Sequence, residues 1–559
     1  MSITHTPSCR SQALRRSIVT LLLGACLALG MPPEIHAAAA PAVTRGPYLQ
    51  MGTSSSMVVR WRTSASSDSR VCYGSAPDNL FPCVDVGNQT TEHSVTVSGL
   101  TPDTRYYYSV GTTMQSLAGG DPDHFFFTLP VPGTSQQTRV WVLGDSGTAD
   151  TNAEAVRDAY LAFTGTRYTD VWLMLGDNAY PIGTDENYQA AVFETYSTVL
   201  RQTVLWPSFG NHDAYSADAP TETGPYFDIF SLPTKAEAGG LASGTEAYYS
   251  FDYGNIHFVV LDSYQSSKSP TGPMMTWLKN DLASNKQPWT IAYWHHPPYS
   301  KRGEDSDTAN HDTGMRKNAL PILEAGGVDL VLAGHSHAYE RSFLMNGHYG
   351  TSDTFTESMK KDGGDGRVDG TGEYQKSTLE PKPNEGTVYV VAGSSGKVDD
   401  RSLNHPAMFI SLNVLGSMVL DVEGSRLDAM FLDSTGVIRD YFSIVKNGSE
   451  ALPTLTISSP DATATEAGPT TGSFLLTRTG STATALAVNY TIGGTATKGS
   501  DYQSLPQSVT IPSGSSTVTI IVTPIGDSIG EWNETVVATL AADATYTIGA
   551  PSGAIITIT

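Results

Sequence analysis

Val171-Trp172-Leu173-Met174-Leu175-Gly176-Asp177-Asn178-Ala179-Tyr180 is the stretch on which the fold turns. Five apolar residues in a row read as a strand buried on both faces. An acid just beyond such a strand sits at the carboxyl edge of a sheet, where α/β folds bind their ligands. A phenol three residues later can return to the same point. Gly-Asp after a strand is also an ordinary turn, so the weight of this stretch depends on what else in the chain ends the same way.

Four other segments do. Residues 139–143 form a strand ending in Gly144-Asp145, and 203–209 end in Gly210-Asn211-His212-Asp213. Residues 289–294 run into His295-His296, and 328–333 end in Gly334-His335-Ser336-His337. Between the first two strands, Ala153, Ala155, Val156, Ala159 and Tyr160 recur at helical spacing, which completes a βαβ unit. Helices are also expected over 274–282 and 315–323, the second interrupted at Pro321. Gly254-Asn255 predicts a hairpin between 248–251 and 256–261. A run of strands is expected from 387 to 445. The order predicts a central α/β domain over 139–446, two packed sheets with helices outside. Residues 346–386 are polar and rich in Gly, Asp and Lys. They read as an irregular loop, either a cover for the site or a flexible insertion.

The segment ends supply Asp145, Asp177, Tyr180, Asn211, His295, His335 and His337, with His212 beside them. The first seven offer oxygen or nitrogen suited to hard and borderline metals. No cysteine is among them, which argues against soft-metal and Fe–S chemistry. One ion leaves ligands spare; two ions sharing one carboxylate use them all.

These five blocks, with the continuation Ala338-Tyr339-Glu340-Arg341, resemble the motifs of the purple acid phosphatases, a branch of the calcineurin-like metallophosphoesterases. The resemblance covers about residues 41–445. It implies Fe(III) held by Asp145, Tyr180, His337 and a bridging Asp177. It implies a second ion (Zn, Mn or Fe(II)) held by Asp177, Asn211, His295 and His335. A phenolate ligand to iron gives the colour in the family name. Two departures stand out: Ala292 where the fourth block has Val, and Asp213 where Glu is common. Neither removes a ligand. Of the adjacent histidines, His295 rather than His296 fits the family's His-x-Pro spacing to Pro297. His212 corresponds to a residue that contacts phosphate or protonates the leaving group. His311, in Asn310-His311-Asp312-Thr313-Gly314-Met315-Arg316, resembles another substrate-facing histidine; its plain reading is a solvated loop residue. A histidine there can serve as general acid near neutral or mildly acidic pH. The implied reaction is hydrolysis of phosphate monoesters by metal-hydroxide attack. A phosphodiesterase or nucleotide hydrolase on the same site is the alternative.

The chain of 559 residues is long enough for several domains, and its net charge is −23. That acidity argues against a nucleic-acid groove or an anionic membrane surface as partner. A small anionic ester needs a local positive centre such as metal ions. Residues 1–38 read as an export signal: Arg10, Arg15 and Arg16 precede an apolar stretch at 18–31, with small residues at 37–40. The expected location is periplasmic or extracellular. Lipid attachment at Cys26 is the rival reading, and no other stretch looks transmembrane. Cys72 and Cys83 predict a disulfide in an oxidising compartment.

Residues 41–130 predict an all-β sandwich. Leu100-Thr101-Pro102 feeding Arg105-Tyr106-Tyr107-Tyr108 resembles the tyrosine corner of fibronectin type III domains. After a linker, residues 454–559 resemble a Calx-beta domain through Gly493-Gly494-Thr495-Ala496 and Gly499-Ser500-Asp501-Tyr502. That resemblance implies a seven-strand sandwich with calcium-binding loop carboxylates: Glu466, Asp501, Asp527, Glu531 and Glu534. Gly526-Asp527 stands where the family often has paired aspartates. The two sandwiches also suit a surface adhesion module with a degenerate enzyme domain, a reading the intact donor set opposes. His257, in the strand Ile256-His257-Phe258, reads as a packed core residue.

Overall fold

Strands from distant parts of the chain line up into two seven-stranded sheets in the central domain of the computed structural model. The structure describes residues 40–301, 305–399, 403–446, 453–480, 482, 485–512, 514–526, 532–543 and 545–559. The expected export signal and Cys26 lie outside them. Among the described residues no helix is long and apolar enough to cross a membrane.

The first sheet runs Tyr374–Lys376, Ile438–Lys446, Arg426–Asp433, Gly416–Glu423, Thr138–Leu143, Val171–Met174, Leu205–Pro207. Its last three strands are parallel. The second runs Tyr249–Tyr253, Ile256–Val260, Trp289–Trp294, Leu330–Ala333, Val388–Ala392, Tyr339–Ser342, Met408–Leu412. Four neighbours in it, from Ile256–Val260 to Val388–Ala392, are parallel. Every residue of Val171–Met174, Trp289–Trp294 and Leu330–Ala333 is buried. This is why these segments are continuously apolar rather than alternating.

The sheets meet face to face through aromatic pairs. Trp206 stacks on Phe251 at 4.0 Å and Tyr339 on Phe431 at 4.1 Å between ring centroids. On the outer side, Trp141 stacks at 4.2 Å on Tyr160 of the helix Thr151–Thr164. Asp150 caps that helix by accepting from the backbone N–H groups of Asn152 and Ala153. Because parallel strands run the same way, their carboxyl ends share one edge, and the donor residues collect there.

Two expectations for this domain need correction. The helix expected over 315–323 is two helices, Asn310–Asn318 and Leu320–Ala325. Pro321 lies in the first turn of the second, where a missing N–H costs nothing, so it starts a helix rather than breaking one. His311 thereby falls in a first helical turn, not a loop. Residues 346–386 are likewise not an irregular loop throughout. Tyr374–Lys376 extends the first sheet beside Ile438–Lys446, and Lys360–Asp362 pairs with Leu344–Met345. Buried Asp329 holds this edge in place, accepting Lys376 at 2.7 Å and Lys446 at 2.8 Å.

The N-terminal domain is all-β. Its 19-residue strand Ser56–Gly74 changes partner along its length, pairing with Val43–Gln50 at one end and Arg105–Gly111 at the other. Register shifts near Ser67 let it bend around a core of Trp61, Val71, Val95, Tyr108 and Phe126. Tyr106 Oη accepts from Thr101 N–H at 3.0 Å, the contact expected of a tyrosine corner. Cys72 and Cys83 are register partners on adjacent strands and form the disulfide. Arg45 and Arg62 both reach Asp185 of the central domain, at 2.8 and 2.5 Å.

The C-terminal domain has its own core, including Phe474, Leu476, Val488, Val536 and Ile556. Its described strands form a four-stranded and a five-stranded sheet. The seven expected strands become nine because the two-residue segments Thr463–Ala464 and Thr547–Ile548 also pair.

Candidate metal centre

Both sheets deliver side chains to one point. The first contributes Asp145, Asp177, Tyr180 and Asn211; the second contributes His295, His335 and His337. The approach is close enough to demand glycine between strand and donor. Gly176 has φ +89°, and a Cβ there would stand 2.6 Å from His295 Nδ1. A Cβ on Gly210 would stand 2.2 Å from the backbone N of Asp177. Asp145, Asp177 and His335 themselves take left-handed backbone, with φ of 57°, 51° and 65°. Non-glycine residues adopt it only where their surroundings over-determine it, at a cost of about 1 to 3 kcal/mol each.

Asp177 is the hub. Its Oδ2 accepts from Tyr180 Oη at 3.0 Å, while its Oδ1 lies 3.3 Å from His295 Nε2 and accepts from His212 N–H at 2.9 Å. The two oxygens of one carboxylate thus face two different donor sets. On one side Tyr180 Oη also lies 3.0 Å from Asp145 Oδ1, with which Asp177 shares its one proton, and 3.4 Å from His337 Nε2. On the other, Asn211 Oδ1 is 3.0 Å from His295 Nε2 and 3.1 Å from His335 Nδ1. Asp145 Oδ2 accepts from His335 N–H at 2.7 Å and ties the two sides together.

The electrostatics call for cations. His295 Nδ1 donates to the Leu175 carbonyl at 2.9 Å. In the neutral ring Nε2 is then a lone pair, and it faces two more acceptors, Asn211 Oδ1 and Asp177 Oδ1. Only positive charge at that point reconciles three acceptors: a proton on Nε2, or an ion. Among protein groups alone the proton wins. Burial pulls His295 down, but the charge and hydrogen bond of Asp177 push it up to about 9. Burial likewise lifts Asp177, yet the charge of His295 holds it well below the usual carboxylate range. Burial and the charges of Asp145 and Asp177 keep the Tyr180 phenol protonated far above its ordinary range. Burial, with the charge of His295, pushes His335 down to about 4. Two carboxylates, one of them shared, with a phenol, an amide oxygen and three imidazoles are a donor set that fits two cations, whose binding would expel protons from His295 and Tyr180.

His212 is half-exposed at the rim. Its Nδ1 donates to the Pro181 carbonyl at 2.5 Å and its Nε2 lies 3.8 Å from Asp177 Oδ2. His311 packs against Tyr264 and His296 at 4.7 and 4.9 Å between centroids. It lines a cavity of about 450 Å³ with Asp305, Thr308, Ala309 and Asn310. His296 Nδ1 is engaged with Ser263 Oγ at 2.9 Å, although its ring lies only 4.3 Å from that of His335. A larger groove of about 710 Å³, bordered by Lys279, Lys317, Ile322 and Pro381, contains none of these residues.

Three neighbours were not singled out from sequence as site residues. Asp399 Oδ2 accepts from His337 Nδ1 at 2.8 Å and so aims Nε2 at the centre. Lys397 Nζ sits 3.7 Å from the centroid of the Tyr180 ring. The signal for both was available, since Gly393-Ser394-Ser395-Gly396-Lys397-Val398-Asp399 follows a strand of the second sheet at the same edge. Asp213, noted only as a departure, is buried. It accepts from Gly210 N–H at 2.9 Å and Asn178 Nδ2 at 3.0 Å, bracing both neighbouring loops. Burial and the charge of Asp177 push it up to about 7.

His257 is buried as expected, but it is not merely packed. Nδ1 meets Asp252 at 2.7 Å and Nε2 meets Asp281 at 2.8 Å. Of the residues the Calx-beta resemblance implies for calcium, Asp527 and Glu531 lie outside the described residues. Glu466, Asp501 and Glu534 form no group of three convergent ligand atoms with other described residues. Asp501 Oδ2 instead accepts from Thr497 N–H at 2.5 Å.

Two packed sheets with a shared-carboxylate donor cluster at their edge define a metallophosphoesterase domain. Residues 138–339 match the family profile of calcineurin-like phosphoesterases, 45–128 the purple acid phosphatase N-terminal domain, and 450–559 the Calx-beta domain. Purple acid phosphatase 23 of Arabidopsis thaliana is 28% identical over 347 residues, covering 52% of this chain and 73% of the relative. Purple acid phosphatase 15 of the same plant is 31% identical over 323 residues, covering 52% of this chain and 57% of the relative. A purple acid phosphatase from yellow lupin (Lupinus luteus) seeds shares the fold, with TM-score 0.54, 17% identity, and 73% and 74% of the two chains covered. Residues 138–339 are thus a calcineurin-like phosphoesterase domain, of a class of metal-dependent phosphoester hydrolases. The chain carries this domain after a purple acid phosphatase N-terminal domain and before a Calx-beta domain.

Proposed function

We propose that the protein is an exported binuclear acid phosphatase acting on phosphate monoesters. The observation that carries this is Asp177, whose two carboxylate oxygens face Tyr180 at 3.0 Å and His295 at 3.3 Å. Asp145, Tyr180, His337 and Asp177 would hold Fe(III), for which an anionic phenolate oxygen is a strong donor. Asn211, His295, His335 and Asp177 would hold Zn, Mn or Fe(II). When bound, such ions polarise the phosphoryl oxygens and acidify water at neutral pH. The disulfide between Cys72 and Cys83 supports export to an oxidising compartment.

The protein's own part is positioning and proton transfer. His295 is locked in one tautomer by Leu175, and His337 by Asp399, so their Nε2 atoms point inward. His212 spends Nδ1 on Pro181, leaving Nε2 as the atom that delivers a proton to the departing ester oxygen. His311, held against His296 and Tyr264 at the cavity wall, binds the far side of the substrate.

Metal analysis, a visible spectrum and paired assays on a monoester and a diester test this. We expect close to one iron per chain and a visible band that disappears in Tyr180→Phe. Monoester turnover should exceed diester turnover. An active but colourless, iron-free protein would sink the Fe(III) assignment. Preference for the diester would favour the phosphodiesterase alternative.

A further inference from the structure

Tyr180 has two neighbours on its ring besides the donor cluster. His212 stands edge-on at 4.5 Å, and the Lys397 ammonium lies at 3.7 Å from the centroid. All three residues are half-exposed, so they border the mouth of the site. Among the described residues Lys397 makes no ion pair; its nearest acidic neighbour in the chain, Asp399, is spent on His337. In a chain of net charge −23, an ammonium without an ion pair among the described residues has an electrostatic use.

Its position says what kind. The Tyr180 hydroxyl is at the centre, between Asp145 and Asp177, and the ring points away from it. A cation over the ring is therefore displaced outward from the centre, toward the mouth that Tyr180 and His212 border. The part of a monoester that extends from the centre to this mouth is its leaving group.

We propose that Lys397 is a specificity-determining residue that binds a second anionic group on the leaving-group side of the ester. The favoured substrates are phosphate monoesters whose leaving group carries a carboxylate or a further phosphate. This rests on the phosphatase reading of the site and deepens it. In the reaction, water oxygen bonds to phosphorus as the ester oxygen leaves with a proton, and Lys397 holds the anion attached to that oxygen. The flexible, compact ammonium suits a single carboxylate or phosphate oxygen as a point charge.

Phosphoglycolate and ethyl phosphate share a two-carbon leaving group and differ in the carboxylate. The test compares kcat/KM on both for wild type, Lys397→Met and Lys397→Arg, with metal content measured for each. Lys397→Met keeps methylenes over the Tyr180 ring. It should lose roughly 10- to 100-fold on phosphoglycolate, mainly through KM, the scale of one charged hydrogen bond. On ethyl phosphate the loss should stay below about threefold, as for a solvent-screened charge. Lys397→Arg should recover most of the phosphoglycolate activity.

Equal losses on both esters would overturn the inference, as would a failure of Arg to restore. A Met variant depleted in iron would also overturn it, since Lys397 would then be only a prop for Tyr180. A wild-type protein that hydrolyses neither ester fails the phosphatase reading itself. One that hydrolyses both, with equal losses in the Met variant, fails this inference alone.

Discussion

His257 and His295 stand on neighbouring parallel strands of the second sheet. His257 lies at the amino end of Ile256–Val260, in register with Thr290, and His295 follows the carboxyl end of Trp289–Trp294. Both are buried, both lie against aspartate, and both are pushed up to about 9 against the downward pull of burial. Yet the two environments differ in kind. His257 gives each ring nitrogen a carboxylate, Asp252 and Asp281, so the group is closed and supplies its own positive charge. His295 gives one nitrogen to a backbone carbonyl and turns the other toward Asn211 and Asp177. That arrangement is open: it leaves a place for positive charge from outside. Burial and a shifted pKa therefore do not separate a structural histidine from a candidate ligand. The partner of the second nitrogen does.

If the open centre is catalytic and the closed one structural, substitutions should split cleanly. The largest effect is expected for Asp177→Asn. It removes the shared charge and should cut monoester turnover by at least about 10³-fold, with bound metal falling alongside. Full activity in this variant, measured at confirmed folding by circular dichroism, would refute the bridging role.

His257→Gln should do the reverse. It leaves Asp252 and Asp281 buried without their cation and should cost about 3 to 5 kcal/mol in denaturant unfolding. Turnover per folded molecule should be unchanged. A loss of turnover with stability intact would erase the distinction between the two histidines. The pH dependence sharpens it further. Burial works against His257, but its bonds to Asp252 and Asp281 raise it from 6.5 to about 9. Folding thus takes up a proton in this window. The stability it contributes is complete below about 6.5 and is lost as pH rises through about 9. Unfolding free energy of the wild type should fall across that range more steeply than that of the Gln variant.

A smaller effect is expected from Asp399→Asn. His337 keeps a hydrogen-bond partner but loses the charge that strengthens it. Metal affinity or activity should drop roughly 10- to 100-fold. Competition with a chelator reads the affinity directly, and an unchanged value would make Asp399 a bystander.

Much of the centre was legible along the chain because its signals are local. An apolar run, a glycine and then a donor are three consecutive facts about one segment, as at Leu175-Gly176-Asp177 and Ala333-Gly334-His335. The βαβ unit was equally local, with helical spacing at Ala153, Val156 and Tyr160 matching the helix Thr151–Thr164. The break expected at Pro321 was misplaced because proline is neutral in a first turn, and the turn's position depends on where the helix docks. The segment 346–386 looked structureless because its three-residue strand Tyr374–Lys376 has no periodicity of its own and is held by a partner strand far along the chain.

By itself, then, the sequence determined the order of strands and donors and the family they resemble, since each is written in adjacent residues. Tertiary structure alone decided how the histidines divide. His257 alternates like any core residue, and only the fold brings it Asp281, 24 positions away. His337 gains its orienting carboxylate from 62 positions away. His295 and His296 are chemically identical neighbours until the fold turns one toward Asn211 and the other toward Ser263. A ring nitrogen is defined by its hydrogen-bond partner, and such partners are set by packing between distant segments rather than by spacing along the chain.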